Sequence, residues 1–81
     1  MNKSEILNTI HELLKNIAPE MDPTLLGQEE NIREALNIDS YDALQFIVAL
    51  CEKLKIDIPE QDYGKTATIK SLLTYLEKKI I

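Results

Sequence analysis

Ser40 is the residue of this chain best placed for covalent chemistry. It stands in the run Ile38-Asp39-Ser40-Tyr41-Asp42-Ala43-Leu44, where a polar loop gives way to an apolar helix. Asp39 with Asp42 three positions on is an acidic variant of the capping box, in which the Asp39 carboxylate accepts the N–H of the third helical residue. With Asp39 as cap, the Ser40 hydroxyl falls on the first helical position, free of capping duty and facing solvent. The unpaired N–H groups and positive end of the helix favour a phosphate attached there. Capping alone also accounts for the heptapeptide, so at this point both a modified serine and a plain helix start remain open. The other nucleophiles offer less. Cys51 has no basic cluster beside it in sequence to stabilise a thiolate and reads as a small core residue. His11, the single histidine, lies on the first helix next to Ile10 and Glu12. A hydrolase built on Ser40 would need a base and an oxyanion site that the sequence does not supply. There is no glycine-rich phosphate loop, and the segment Asp57–Asp62 contains Pro59 and lacks calcium-loop spacing. No catalytic residue, metal ligand set or enzymatic activity is expected.

The elements that position Ser40 follow from apolar spacing. Ile6, Leu7, Ile10, Leu13, Leu14 and Ile17 build one stripe and predict a helix from Ser4, as N-cap, to about Ile17. Ala18-Pro19 ends it. Pro23 and Gly27 punctuate a long loop to about Asn37, pinned to the core by Met21, Leu25 and Leu26 and by one helical turn bearing Ile32, Ala35 and Leu36. The second long helix runs from Ser40 to about Leu54 and is apolar on most of its circumference. It is therefore both clamped between neighbours and left with an apolar surface for a partner. Lys55 to Pro59 reads as an extended exit, and Glu60 to Gly64 as a short turn closed by the glycine. The last helix begins at Thr66 or Thr68 and carries Ile69, Leu72, Leu73, Leu76 and Ile80 on one face, with Lys78 and Lys79 where the helix dipole favours cations. The expected fold is an all-α bundle of three main helices and one or two short ones, with a long loop between the first two.

Composition narrows the function classes. With 81 residues, 44% hydrophobic and 28% charged, the chain forms one small domain spanning residues 1–81 and no multidomain enzyme. No apolar run approaches the roughly 20 residues that cross a bilayer, and the first residues lack a signal-peptide core, so membrane insertion is not expected and the cytoplasm is the expected compartment. Residues 20–62 hold eleven acids against Arg33, Lys53 and Lys55, a net of −8 within a total of −5, while residues 63–81 carry four lysines against Glu77. That balance disfavours nucleic acid and anionic membranes and favours basic protein partners.

The run from Asp39-Ser40 through Ala49-Leu50 to Ile56-Asp57-Ile58-Pro59-Glu60-Gln61-Asp62 resembles the acyl carrier protein family. The resemblance also takes in the leading helix, the Pro/Gly loop and the Thr68-Ile69 opening of the last helix. It implies that Ser40 is esterified by 4′-phosphopantetheine, delivered from coenzyme A by a phosphopantetheinyl transferase, and that Asp39 helps hold the magnesium used in that transfer. The arm's thiol then carries acyl groups as thioesters to acyl-loading and condensing enzymes with basic patches. The same resemblance makes the helix after Ser40 the recognition helix of a monomeric carrier, with Tyr41, Asp42, Ile47, Glu52 and nearby Asp62 as contacts. A bound acyl chain would lie among Leu44, Phe46, Ile47, Leu50, Leu54, Ile56, Leu72 and Leu76, which are core residues first. The chain departs from the family pattern at Tyr41, usually leucine or methionine, at Asn37, usually glycine, and at Gln45 and Cys51, usually glutamates in fatty-acid carriers. These departures point to a specialised stand-alone carrier. A carrier of aminoacyl, polyketide or nonribosomal peptide intermediates, and an unmodified helical adaptor, remain as alternatives on sequence.

Overall fold

The computed structural model describes residues 2–80. Its helices are α1 (Lys3–Ile17), α2 (Ile32–Leu36), α3 (Ser40–Leu54) and α4 (Ile69–Ile80), with 3₁₀ segments at Pro23–Leu25 and Glu60–Thr66. The all-α bundle is as expected, with α1 packed against both α3 and α4.

The stripe on α1 places Ile6, Ile10 and Leu14 at the centre of the core, each no more than 1% exposed. Its N-cap is Asn2 rather than Ser4. The Glu5 N–H donates to Asn2 Oδ1 at 2.9 Å, and the Asn2 N–H donates back to Glu5 Oε1 at 3.3 Å. Asn2 prevails because the residue three places on is a glutamate that can complete the box, whereas Ser4 is followed at that distance by Leu7. The helix stops where Pro19 could not continue it, with the Ala18 N–H bonded to the Leu14 carbonyl at 2.9 Å.

In the long loop, Met21 and Leu25 do not pin the chain. They are 37% and 81% exposed, and the buried group is Pro23. The reason is the turn that Asp22 starts by accepting the Thr24 N–H at 3.0 Å and its hydroxyl at 2.6 Å. Three residues offer one inward side, and the proline takes it. Leu26 is half-buried against the core. Helix α2 does anchor the loop through Ile32 and Leu36, capped by Asn31 and ended by Asn37 in the left-handed region at φ 54°, which asparagine tolerates better than most residues. Five residues do not hold a helix by themselves. Two main-chain hydrogen bonds clasp this loop to the approach and first turn of α4, from Ile32 N–H to Ala67 O at 2.8 Å and from Lys70 N–H to Gln28 O at 2.9 Å.

Helix α3 has the expected bounds and both expected faces. Phe46, Ile47 and Leu50 are buried, while Tyr41, Leu44 and Val48 stand outward at 67%, 42% and 44% exposure. The exit buries Ile58 and leads into the 3₁₀ segment. Gly64 does not close that segment: it has no positive φ, and the turn runs on to Thr66, whose hydroxyl donates to the Tyr63 carbonyl at 2.6 Å. Thr68 then accepts the Ser71 N–H at 3.1 Å and opens α4, whose Ile69, Leu72, Leu73 and Leu76 complete the core.

Candidate functional site: Ser40 and the adjoining cleft

Asp39 is extended, at φ −88° and ψ −179°, and its Oδ1 accepts the Asp42 N–H at 2.9 Å. This half of the capping box is enough to settle the helix start, so Ser40 occupies the first helical position and is exposed. Beside it opens a cleft of about 480 Å³ between α2, α3 and the 3₁₀ segment, with Ser40 itself on the wall. Its lining is mainly apolar, with Ile32, Ile38, Leu44, Phe46, Ile47 and Ala67 among the contributors.

Three of the eight residues expected to surround an acyl chain, Leu44, Phe46 and Ile47, line this cleft. Leu50, Leu72 and Leu76 lie at 0% exposure in the core behind it, and Leu54 and Ile56 are half-buried against that core without reaching the cleft. Ile32, Ile38 and Ala67 were missed by sequence reasoning, because they come from the loop and the α4 approach and not from helix stripes. The signal available was Ile32, already expected to tuck inward.

The expected docking residues scatter. Tyr41 and Glu52 are exposed and Asp42 is half-buried. Ile47 is turned inward at 7% exposure, so it serves the cleft wall and not the outer face; Leu44 and Val48 are the exposed aliphatic residues of α3. Asp62 is engaged within the fold, accepting the Tyr75 hydroxyl at 2.6 Å and pairing with Lys65 at 3.4 Å.

That Asp62–Tyr75 bond ties the 3₁₀ segment to α4, and it shifts both groups. The Tyr75 hydroxyl, followed by Lys65, holds the Asp62 carboxyl below its ordinary 3.8. Burial first, then the bond to Asp62, pushes Tyr75 from 10.0 up to about 12. A carboxyl depressed on folding gives stability above its unfolded value that is lost as pH falls through the folded one; a phenol raised on folding gives stability below its unfolded value that is lost as pH rises through the folded one. The bond therefore contributes across the range between the ordinary values of 3.8 and 10.0. Tyr75→Phe is expected to lower Tm by a few degrees at neutral pH and to flatten the alkaline decline. An unchanged alkaline limb in thermal melts would remove Tyr75 from that role.

An acyl carrier protein of Thermosynechococcus vestitus is 31% identical over 80 residues, covering 99% of this chain and 98% of the relative. A family model described as a phosphopantetheine attachment site matches residues 4–76. The chain belongs to the acyl carrier protein family. Acyl carrier proteins of Bdellovibrio bacteriovorus and Helicobacter hepaticus are 33% and 35% identical, over 86% and 70% of this chain and 94% and 75% of those relatives. Membership implies covalently attached 4′-phosphopantetheine and a carrier without catalytic activity of its own. The local geometry fits that group: an exposed serine hydroxyl released from capping, and an apolar-lined cleft opening beside it. Among the described residues no three His, Cys, Asp or Glu side chains group as a metal site. Among the described residues no helix is long and apolar enough to cross a membrane.

Proposed function

We propose that Ser40 Oγ is the attachment point of the phosphopantetheine arm, and that the protein presents acyl thioesters to fatty-acid or specialised lipid and polyketide biosynthetic enzymes. In the attachment, Ser40 Oγ bonds to the phosphorus bearing the pantetheine, the bond from that phosphorus to the nucleotide phosphate breaks, the nucleotide leaves, and the serine proton passes to a base on the transferase. The observation that carries this reading is the division of labour at the start of α3: Asp39 takes the cap and leaves Ser40 exposed at the mouth of an apolar cleft. Incubation with coenzyme A, magnesium and a broad-specificity phosphopantetheinyl transferase, followed by intact and fragment mass measurement, is expected to add one phosphopantetheinyl group on Ser40. Addition elsewhere, or none to a folded protein, overturns the assignment.

The character of α3 supports a specialised carrier. Its only acids are Asp42 and Glu52, set against Lys53, and its exposed face carries Tyr41, Leu44 and Val48. Gln45 is exposed and Cys51 half-buried on the same helix. Such a face meets partners through apolar contact more than through charge. In acylation by fatty-acid enzymes, Gln45→Glu/Cys51→Glu is expected to raise the rate, most clearly at low salt. A wild type already as fast as a general fatty-acid carrier contradicts the specialised reading.

A further inference from the structure

A second cleft, of about 780 Å³, runs along α4 and lies apart from Ser40. Lys65, Lys70, Lys78 and Lys79 line it, four of the nine basic residues of a chain whose net charge is −5. Against them the lining holds one acid, Glu29, which reaches Lys70 at 3.6 Å, and Asp62 sits at the edge, 3.4 Å from Lys65. The cleft therefore keeps a surplus of positive charge. Its aromatic wall is Tyr75, with the Lys65 and Lys79 ammonium groups 5.9 Å and 5.6 Å from the ring centre. The hydroxyls of Ser71 and Thr74 donate to the carbonyls of Thr68 and Lys70, and that of Thr68 donates to Ser71 Oγ, so the donors that meet a ligand are the lysine ammonium groups, Lys78 and Lys79 first because Lys65 and Lys70 already face a carboxylate.

We propose that this cleft is a binding site for a phosphate-headed amphiphile, its head among the lysine ammonium groups and its apolar portion along the Tyr75 ring and the lysine stems. A head carrying up to two negative charges matches several point-charge donors better than a single carboxylate does. Lysine methylenes and an aromatic ring offer the apolar portion a surface that a bare anion would not use. The volume lies within the range of about 300–1,000 Å³ usual for small-ligand sites. A soluble alkyl phosphate and the headgroup of an anionic lipid share this chemistry, and the site is independent of the Ser40 assignment.

The test is amide NMR titration of the full ¹⁵N-labelled chain with octyl phosphate below its micellar range, beside inorganic phosphate, octyltrimethylammonium and phosphatidylglycerol vesicles. Octyl phosphate is expected to give saturable shifts centred on residues 65–79. Lys78→Gln/Lys79→Gln, at exposed positions, is expected to weaken binding about tenfold, the loss of roughly one charge-assisted contact. Glu29→Gln is expected to tighten it, and Ser40→Ala to leave it unchanged. Binding to vesicles as well as octyl phosphate supports the site and identifies a lipid source; binding to octyl phosphate without vesicles supports it and identifies a free ligand. Equal binding of inorganic phosphate or of the cationic amphiphile, shifts centred on residues 32–47, or vesicle binding with no octyl phosphate response each overturns the proposal.

Discussion

Ser40→Ala is expected to abolish phosphopantetheinylation completely while leaving Tm unchanged. The separation arises because the cap hydrogen bond at the start of α3 belongs to Asp39, whose Oδ1 accepts the Asp42 N–H. Alanine is a good helix former at the first helical position, so its introduction removes a hydroxyl and no structural contact of the cap. Asp39 variants divide the remaining roles. Asp39→Ala removes the cap and is expected to lower stability by about 1 kcal/mol, whereas Asp39→Asn, an equally good cap, leaves it near the wild-type value. Both substitutions remove the carboxylate, and both are expected to slow arm attachment about tenfold or more, the usual scale for disturbing the surroundings of a bound metal. A wild-type attachment rate in a stably folded Asp39→Asn protein would confine Asp39 to capping. A Tm loss in Ser40→Ala would instead show that the serine shares the cap. Circular dichroism melts and transfer kinetics on the same preparations give both readings.

Leu50→Ala has the largest expected effect on folding. Leu50 is 0% exposed and sits in the cluster with Ile10, Leu14, Leu72 and Leu76, so its loss leaves a cavity among three helices. Such truncations destabilise by about 2–5 kcal/mol, against a total of roughly 4–12 kcal/mol at about 0.05–0.15 kcal/mol per residue for this length. A substantial unfolded population at physiological temperature is expected at the upper end of that range. Val48→Ala, on the same helix but 44% exposed, is expected to change stability by less than about 0.5 kcal/mol. Urea unfolding with an unchanged slope checks both, and similar midpoints for the two variants would contradict the placement of the core.

The helix stripes and the start of α3 were legible in the sequence because each rests on interactions within a few residues. The bounds Ser40–Leu54 follow from an aspartate cap, an apolar run and the break before Ile56-Asp57-Ile58-Pro59. The errors lie where two local solutions compete or where distant segments decide. Asn2 displaced Ser4 through a glutamate at the right spacing. Gly64 carried no left-handed turn because the 3₁₀ segment continued to Thr66. Leu25 pointed outward because Pro23 took the inward side of a three-residue turn. For the site, the Asp39-Ser40 pair could be read directly, and the cleft only in part, since Ile32, Ile38 and Ala67 reach it through loop closure. The four lysines of the α4 cleft are spread over fifteen positions and two helix types, which hides their convergence from any spacing rule.

The two main-chain hydrogen bonds that clasp the long loop to the approach of α4 have a consequence for cargo. Ile32 and Ala67 both belong to the wall beside Ser40, and the N–H of one is bonded to the carbonyl of the other. The cleft cannot widen between them without breaking that bond, whatever the side chains do. If the acyl chain enters this cleft, the exchange rate of the Ile32 amide proton with solvent is a gauge of its occupancy. A chain that fits the existing width leaves the proton protected, and a longer or branched one that forces the wall apart releases it, with the Lys70 amide reporting whether the second clasp gives way at the same time.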